Sequence, residues 1–441
     1  MHRTSKAISC ICLFIVLLCG WSSVAQEQKL SNYDRELAKQ MLRMILDDLK
    51  KHYYDPKFHN VDLDARFAEA EKRINAANSL NMAFSNIAAA IADLNDSHTS
   101  MYPPPRPYVH DYGWRMQFFG DKGAFITAVR PGSDAENKGI KPGDQILALN
   151  GFQLNRADFW KFEYVYWILR PQPSLHLQLK SPGGAIREVD PQAHFRTTKK
   201  EADLTQGEDL RELYLDEERE ELSERPQSKE LDNNVVILRL RNFEWDPDST
   251  GALLSKLHSR SAAVIDLRGN PGGYVQSLTY FTGCFFDHEV KIADRIGRKA
   301  MKPSIAKPFG HPFAGKVIVL IDSQSASAAE LFARVLQLQN RATTVGDRSE
   351  GAVMESREYP HQIGADTVTP FEVSITEADM IMTDGKSLEH VGVTPDVIML
   401  PSPEDLAAGR DPVLAHAAEL AGAHLTPEDA GKLFPIEWTK N

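Results

Sequence analysis

One serine of this chain stands where nucleophilic chemistry is favoured. The apolar run Val317–Ile321 predicts a buried strand, Asp322–Ser325 a turn, and Ala328–Leu338 a helix. Ser327 therefore lies where the turn becomes the helix, and free backbone N–H groups at a helix start stabilise developing negative charge. The segment Ser327-Ala328-Ala329-Glu330 also matches a capping box, which starts a helix without any chemistry.

A glycine-rich turn follows a second predicted strand. The strand Ala263–Leu267 leads into Arg268-Gly269-Asn270-Pro271-Gly272-Gly273. Gly272 and Gly273 have no Cβ, so their backbone N–H groups can approach a ligand closely. The turn lacks the Gly-Lys-Ser/Thr ending of a P-loop, which argues against a nucleotide site.

A serine hydroxyl is a weak nucleophile at neutral pH and needs a base beside it. His98, in Asn95-Asp96-Ser97-His98-Thr99, is of the right chemical type, because an imidazole titrates near neutral pH. The alternative is a structural histidine that follows a helix. Other histidines, such as His258 and His288, show no metal-ligand spacing, so we expect neither a metal nor another cofactor.

The predicted secondary structure that must position these residues differs from one region of the chain to the next. Apolar residues at helical spacing predict a helical bundle from Tyr33 to Leu94. A β-rich stretch follows, with strands expected at Ala124–Val129, Gln145–Leu149 and Leu175–Lys180. Residues 199–231 are dense in charge and predict a solvated connector. From Val235 onward strands and helices alternate, which indicates an α/β sheet, and the end is predicted to be helical at Pro412–Leu420 and Pro427–Leu433.

Composition narrows the class of protein. The 441 residues are 42% hydrophobic and 25% charged, as in soluble globular proteins, and the net charge of −11 argues against a nucleic-acid partner. Arg3 and Lys6 precede the apolar run Ala7–Trp21 and the small residues Ser23-Val24-Ala25, which is the pattern of a secretory signal peptide over residues 1–25. We expect export to a bacterial periplasm, with an extracellular protein or an uncleaved N-terminal anchor as alternatives. After cleavage we expect no stable membrane span.

Several motifs together resemble a known family. Asp266–Gly273, Ser325–Glu330 and Glu389–Asp396 resemble elements of the C-terminal processing (tail-specific) peptidases and their tricorn-core relatives. Leu94–Thr99 is similar to the end of the family's helical region, and Phe125–Gly151 to its embedded PDZ domain. The resemblance implies a multidomain α/β protein with an α/β (crotonase/ClpP-like) peptidase core. Its expected parts are a helical region at 26–110, a PDZ-like β-rich domain at 111–195, a charged connector at 196–232, the core at 233–405 and a helical tail at 406–441.

The resemblance implies a serine-type peptidase that acts through an acyl-enzyme. Ser327 would be the nucleophile, with backbone N–H groups of Ala328, Gly272 and Gly273 as the oxyanion hole. In the tail-specific branch the base is a lysine, but the matching position here holds Ala352. Arg348 cannot replace it, because a guanidinium does not lose its proton at usable pH.

The tricorn branch implies a histidine base instead. There His98 would take the proton from Ser327, and Glu389 would orient the imidazole through Ser97. Acids that could take the place of Glu389 are Asp347, Glu350 and Glu355.

The PDZ-like part is expected to bind an extended peptide or protein substrate by strand addition, with recognition of the substrate's C-terminus. The loop residues that would do this are Gly113, Trp114, Arg115 and Met116. The aromatic insert Phe159–Leu169 is either a lid or packing. The sequence leaves open whether the protein forms an oligomer. It also leaves open the alternative of a catalytically inactive protein that binds a peptide or an apolar ligand on the same fold.

Overall fold

A computed structural model describes residues 30–197, 225–364 and 368–438 of the chain. The predicted signal peptide lies outside the described residues, and so does most of the predicted charged connector. Within the described residues, no helix is both long and apolar enough to cross a membrane.

Three helices build the N-terminal region, as the hydrophobic periodicity predicts. They are α1 (Asn32–His52), α2 (Leu63–Ala76) and α3 (Leu80–Ala92), and a Ser or Asp side chain accepts a hydrogen bond from the first turn of each. Their inward faces share one apolar cluster, which also contains Val373 and Ile375 from a distant strand. The helical region is therefore packed directly onto the C-terminal half of the chain.

The strands of the described residues form four separate sheets. In chain order they are β1 (Ser100–Tyr102), β2 (Tyr108–Asp111), β3 (Trp114–Phe119), β4 (Gly123–Val129), β5 (Gln145–Leu149), β6 (Leu177–Lys180), β7 (Ile186–Val189), β8 (His194–Thr197), β9 (Gln227–Glu230), β10 (Val235–Arg239), β11 (Ala262–Asp266), β12 (Val290–Gly297), β13 (Ser304–Ala306), β14 (Lys316–Ile321), β15 (Thr343–Gly346), β16 (Met354–Ile363), β17 (Thr369–Met382) and β18 (Val397–Ile398).

The central sheet has the order β18-β15-β14-β11-β10-β9. All neighbours pair in parallel except β9, which runs antiparallel to β10. Apolar side chains cover both faces, so β11 is buried along its whole length. Because the strands are parallel, β10, β11 and β14 all end at one edge of the sheet, where open α/β sheets place their ligand sites.

A second sheet, with the order β1-β17-β12-β13 and β16 paired to β17, joins the helical region to the core. The short strand β1 comes directly after the helical region and pairs with β17, with Ser100 opposite Ser374. This pairing fixes where the residues just before Ser100 lie relative to the core.

The PDZ-like part is a sheet with the order β3-β4-β5-β6-β7, accompanied by the β2–β8 pair and a short helix, Asp134–Asn137. The aromatic insert forms the helix Phe159–Glu163 and a π-helical turn, Tyr164–Leu169. Strand β3 is an edge strand of this sheet.

The remaining helices flank the central sheet, and two predictions need correction. These helices are Pro247–Leu257, Val275–Gly283, Ala328–Leu338, Pro403–Ala408, Pro412–Ala421 and Pro427–Ala430. Part of the predicted connector is strand β9, because the outer side of β10 offers it hydrogen bonds. The predicted helical tail packs on the central sheet through Leu414, Ala417 and Ala418, and its last helix stops at Ala430 instead of Leu433.

Candidate active site

Ser327 lies at the start of the Ala328–Leu338 helix, a short turn beyond the end of β14. Its backbone has φ 53° and ψ −117°, a strained conformation that costs about 1–3 kcal/mol. Two hydrogen bonds stabilise this strained conformation. The Ser327 N–H donates to the Ala352 carbonyl at 2.8 Å and to Glu330 Oε2 at 3.1 Å. The Ser327 side chain does not cap the helix, which leaves its hydroxyl available to another partner.

That partner is His98, which is 229 residues away along the chain. The distance from Ser327 Oγ to His98 Nε2 is 3.0 Å. On the other side of the ring, His98 Nδ1 lies 2.8 Å from Ser97 Oγ, which donates to Glu389 Oε2 at 2.8 Å. The four side chains that the sequence analysis singled out thus lie in one continuous chain of hydrogen bonds.

The direction of these hydrogen bonds determines the tautomer of His98. Ser97 has one hydroxyl proton, and the Glu389 carboxylate can only accept it. Ser97 Oγ must therefore accept from His98 Nδ1–H, which leaves the lone pair of Nε2 pointing at the Ser327 hydroxyl. This is the tautomer that a general base requires.

Burial sets the charge of His98. It lowers the pKa of the imidazole, because a charged ring would lose its water, while the carboxylates of Glu389 and then Asp96 act in the opposite direction. The net pKa lies below the ordinary value of an imidazole, so the ring is neutral at pH 7.

Glu389 is held by donors from two parts of the chain. Its Oε1 accepts from Ser97 N–H at 2.9 Å, and its Oε2 accepts from Val353 N–H at 2.8 Å as well as from the Ser97 hydroxyl. These donors fix the carboxylate beside Ser97, so it can orient the imidazole only through the serine.

The three alternative acids lie in other surroundings. Asp347 pairs with Arg156 at 2.9 Å, and Glu355 accepts from Arg295 Nε at 2.6 Å. Glu350 has an exposed side chain. Of the four candidates, only Glu389 reaches His98 through the Ser97 hydroxyl.

Two further carboxylates support the site, and the sequence analysis assigned neither of them. Asp96 Oδ1 accepts from His98 N–H at 2.9 Å and from the Thr376 hydroxyl at 2.6 Å, which fixes the backbone of the histidine to β17. Glu330 accepts from Ala352 N–H as well as from Ser327 N–H. The sequence carried a signal for each role. For Asp96 it was the Asp-x-His spacing, and for Glu330 it was the glutamate position of the capping box.

The expected oxyanion hole needs one correction. Gly272 N–H donates to Asn270 Oδ1 at 2.8 Å, so it is not free for a ligand. Among the described residues, the N–H groups of Ala328 and Gly273 have no hydrogen-bond partner. Gly272 serves by its small size, because a Cβ there would lie 2.6 Å from the Ser327 Cβ.

Ala352 occupies the position where the tail-specific branch carries its lysine. Its side chain is buried, and its backbone carbonyl and N–H hold Ser327 and Glu330. A methyl group therefore stands beside the serine in place of an amine.

The four predicted peptide-binding residues of the PDZ-like part lie at the start of β3, and one of their donors is already used. Gly113 N–H donates to Asp111 Oδ1 at 2.8 Å, while the side chains of Trp114 and Met116 are buried and Arg115 is exposed. The predicted capture of a terminal carboxylate by this loop therefore lacks the Gly113 N–H.

The outer edge of β3 faces the turn that precedes Ser327. The Ser323 hydroxyl donates to Phe118 O at 2.5 Å, and Gln117 Nε2 donates to Asp322 Oδ2 at 2.7 Å. The edge where a peptide strand would add thus touches the turn that carries Ser327.

The aromatic insert is held in place by packing and hydrogen bonding. The Tyr164 hydroxyl donates to Met101 O at 2.5 Å, and Trp167 lies against the apolar cluster of the PDZ-like sheet. Within the described residues, no group of three or more His, Cys, Asp or Glu side chains could hold a metal ion.

Comparisons with known proteins agree with this architecture. Residues 234–399 match peptidase family S41, and residues 108–158 match the PDZ domain. The carboxy-terminal processing protease CtpA of Bacillus subtilis (strain 168) is 22% identical over 407 residues, which cover 89% of this chain and 75% of that protein.

Two solved structures share the fold. Mature CPAF has a TM-score of 0.61 at 15% identity, with 85% of this chain and 95% of that chain covered. The photosystem II D1 C-terminal processing protease has a TM-score of 0.51 at 16% identity, with 89% of this chain and 99% of that chain covered. At such identities the likeness shows the fold alone.

The resemblance drawn from the motifs, the multidomain α/β fold class and the serine-peptidase class are confirmed. The chain is a serine-type peptidase whose residues 234–399 match peptidase family S41 and whose residues 108–158 match the PDZ domain, and along most of its length it is similar to a carboxy-terminal processing protease.

Proposed function

We propose that this chain is an exported serine endopeptidase in which Ser327 is the nucleophile and His98 the base. Ser327 Oγ attacks the scissile carbonyl while its proton passes to His98 Nε2. The N–H groups of Ala328 and Gly273 stabilise the oxyanion, and His98 returns the proton to the leaving amine. A water molecule, activated by the same histidine, then hydrolyses the acyl-enzyme.

One observation carries this proposal. The 3.0 Å contact between His98 Nε2 and Ser327 Oγ joins residues from two regions that have no local reason to meet. It accompanies the tautomer that a base needs and a pKa lowered by burial. The alternative of an inactive binding protein gives no reason for this arrangement.

Labelling with a serine-reactive phosphonate tests the nucleophile. Wild type should be labelled, Ser327→Ala should not, and His98→Ala should react about 10²–10⁴-fold more slowly, because a base contributes this much. Ser255→Ala and His288→Ala change exposed residues away from the site and should behave as wild type. Labelling that persists in Ser327→Ala would refute the assignment, and absence of labelling in wild type would favour the inactive binding protein.

Export and peptide recognition are parts of the same proposal. Residues 1–25 would be removed during export, which the mass of the mature N-terminus in a periplasmic fraction would test. The outer edge of β3 would receive the substrate as an added strand. If the unprocessed chain stays with the membranes, the N-terminal segment is an anchor instead.

A further inference from the structure

A cavity of about 960 Å³ lies between the PDZ-like sheet and the carboxyl edge of the central sheet. Its wall includes Pro271, which precedes the Gly272 that contacts Ser327, Gln324, which is three residues before Ser327, and several residues of β3. The cavity is therefore continuous with the surroundings of the nucleophile, although Ser327 itself does not line it.

Among the described residues, five arginines line this cavity. Arg410 pairs with Asp405, and Arg268 is described below. The other three, Arg115, Arg239 and Arg241, are here called the arginine cleft. Arg239 is the last residue of β10, and it lies opposite Asp266, the last residue of β11. Arg239 and Arg241 therefore project from the same sheet edge as the turn that carries Ser327. Arg115 faces them from β3 of the PDZ-like sheet.

These three arginines differ from a fourth arginine beside them. Arg268 forms a pair of hydrogen bonds with Asp266, at 2.8 and 2.9 Å, and another with Asp411, at 2.8 and 3.0 Å. Its charge is balanced by two carboxylates, as buried guanidinium groups usually require.

Within the described residues, the arginine cleft makes its hydrogen bonds and ring contacts with uncharged groups. The carboxylates of Asp266 and Asp411 also act on Arg239, but Arg268 binds both of them. Arg115 donates to the carbonyl of Glu437 at 3.3 Å and lies over the Trp438 ring, while Arg239 lies over the Phe434 ring. Arg241 Nε is buried and has no hydrogen-bond partner among the described residues. Peptide oxygens and aromatic faces balance the positive charge only weakly.

The carboxylates of the cavity wall are engaged elsewhere. Asp411 is held by Arg268, Asp347 by Arg156, and Asp322 by Gly269 N–H at 2.9 Å. Glu163 also lines the cavity, and burial raises its pKa to about 7, so it brings less than a full negative charge at neutral pH.

We infer that the arginine cleft is a subsite for carboxylate groups of an acidic peptide segment, supplied by Asp or Glu side chains of the substrate. Guanidinium groups bind carboxylates through two parallel hydrogen bonds, and a local positive region on a chain of net charge −11 concentrates acidic ligands there. The inference rests on the proposed function, because the segment must extend from the scissile bond at Ser327 past Pro271.

A peptide-binding measurement on a protein without the proposed nucleophile tests this inference independently of catalysis. The full chain with Ser327→Ala is titrated with three fluorescein-labelled twelve-residue peptides. The first alternates Glu and Ala with an amidated end, the second replaces each Glu by Gln, and the third is the Gln peptide with a free terminal carboxylate. We expect the Glu peptide to bind at least about tenfold more tightly than its amidated Gln twin, with a preference that falls as salt is added.

Arginine variants test whether the arginine cleft causes the preference for the Glu peptide. In the Ser327→Ala background, Arg239→Gln with Arg241→Gln should remove most of the preference for Glu. Arg66→Gln with Arg73→Gln makes the same change of charge on the exposed helical surface and should keep it. Arg239→Lys with Arg241→Lys keeps the charge but loses the paired hydrogen bonds, so it should retain only part of the preference. Thermal unfolding confirms that each variant is folded.

Equal binding of the Glu and Gln peptides would overturn the inference, as would a preference that survives in the folded Arg239→Gln, Arg241→Gln protein. If only the free terminal carboxylate binds through the cleft, the subsite serves chain ends and the side-chain version is wrong. Hydrolysis of a neutral peptide by wild type tests the proposed function separately, because that reaction does not need the cleft.

Discussion

At the scale of single residues, the site is a line of hydrogen bonds in which each proton has one possible position. Glu389 cannot donate, Ser97 passes its only proton to Glu389, and His98 is left with its lone pair toward Ser327. Under the proposed assignment, Ser97 transmits orientation from Glu389 to His98 without placing a full charge against the ring.

The pH dependence of peptide hydrolysis follows from the charge of His98. Only the neutral imidazole accepts the proton of Ser327, so kcat/KM should rise with pH through the pKa of His98. Because burial lowers this pKa, the inflection should lie below about 6.5 and activity should be nearly complete at pH 7. An inflection well above pH 8 would indicate an amine as the base.

Glu389→Gln should change both the rate and the pH profile. It removes the carboxylate that works against the lowering of the His98 pKa, so the acidic limb should move to lower pH, while kcat falls by about 10²–10⁴-fold as the imidazolium loses its support. Glu355→Gln is a control, since Glu355 pairs with Arg295. A normal rate with an unmoved acidic limb would assign the orienting role to another acid.

At the scale of elements, the turn before the Ala328–Leu338 helix and the glycine-rich turn after β11 are in direct contact. Gly272 has φ +102°, and the space where its Cβ would stand is filled by Ser327 and Ala328. The two turns can approach this closely only because the residue between them is glycine.

Gly272→Ala should therefore damage the site more than a neighbouring change of the same kind. The new methyl group would press on Ser327, so we expect a fall in phosphonate labelling of at least about tenfold together with a lower midpoint of thermal unfolding. Gly269→Ala is the matched control, because its φ is also positive but no atom lies within 4 Å of the Cβ position. Equal losses in both variants would mean that backbone strain alone explains the effect.

Ala352→Lys should not restore activity to His98→Ala. The Ala352 side chain is buried and the surrounding backbone already holds Ser327 and Glu330, so a lysine must displace packing or turn away from the serine. The double variant should hydrolyse peptide no faster than His98→Ala. Recovered hydrolysis would mean that the geometry of a serine–lysine pair survives in this chain.

Sequence patterns predicted the elements around Ser327 well and the long-range contacts poorly. The Ala328–Leu338 helix has the predicted bounds, and β14 begins one residue before the predicted strand Val317–Ile321, because these apolar runs are buried on predictable faces. The hairpin of β16 and β17 was not predicted, since charged residues alternate along the exposed strand β16. Arg239 and Arg241 gave no signal, because the cleft they line exists only once β3 packs against the core.

At the scale of the whole molecule, three regions meet at one place. The helical region supplies Ser97 and His98, the core supplies Ser327 and Glu389, and the PDZ-like sheet touches the turn before Ser327. The pairing of β1 with β17 holds the first two regions together. Besides the pair of Arg156 with Asp347, the third region contacts the core through polar side chains along the edge of β3.

Removing those side chains should loosen the PDZ-like sheet without harming the core. In Gln117→Ala with Ser323→Ala, we expect amide hydrogen exchange along β3 to rise by roughly thirtyfold, because about 1 kcal/mol is lost with each of the two hydrogen bonds. Exchange in the buried strand β11 should stay as in wild type. Gln178→Ala, an exposed change within the same sheet, is the control. Unchanged exchange in β3 would mean that the remaining contacts, such as the pair of Arg156 with Asp347, hold the sheet without these two side chains.

The separation of 229 residues between His98 and Ser327 has a consequence for the life of the chain. On a ribosome the base emerges long before the nucleophile, and a chain threaded unfolded through a membrane channel keeps the two apart. Under the proposed assignment no partly synthesised or partly translocated chain can cut its neighbours. Folding is then the step that brings the two groups together.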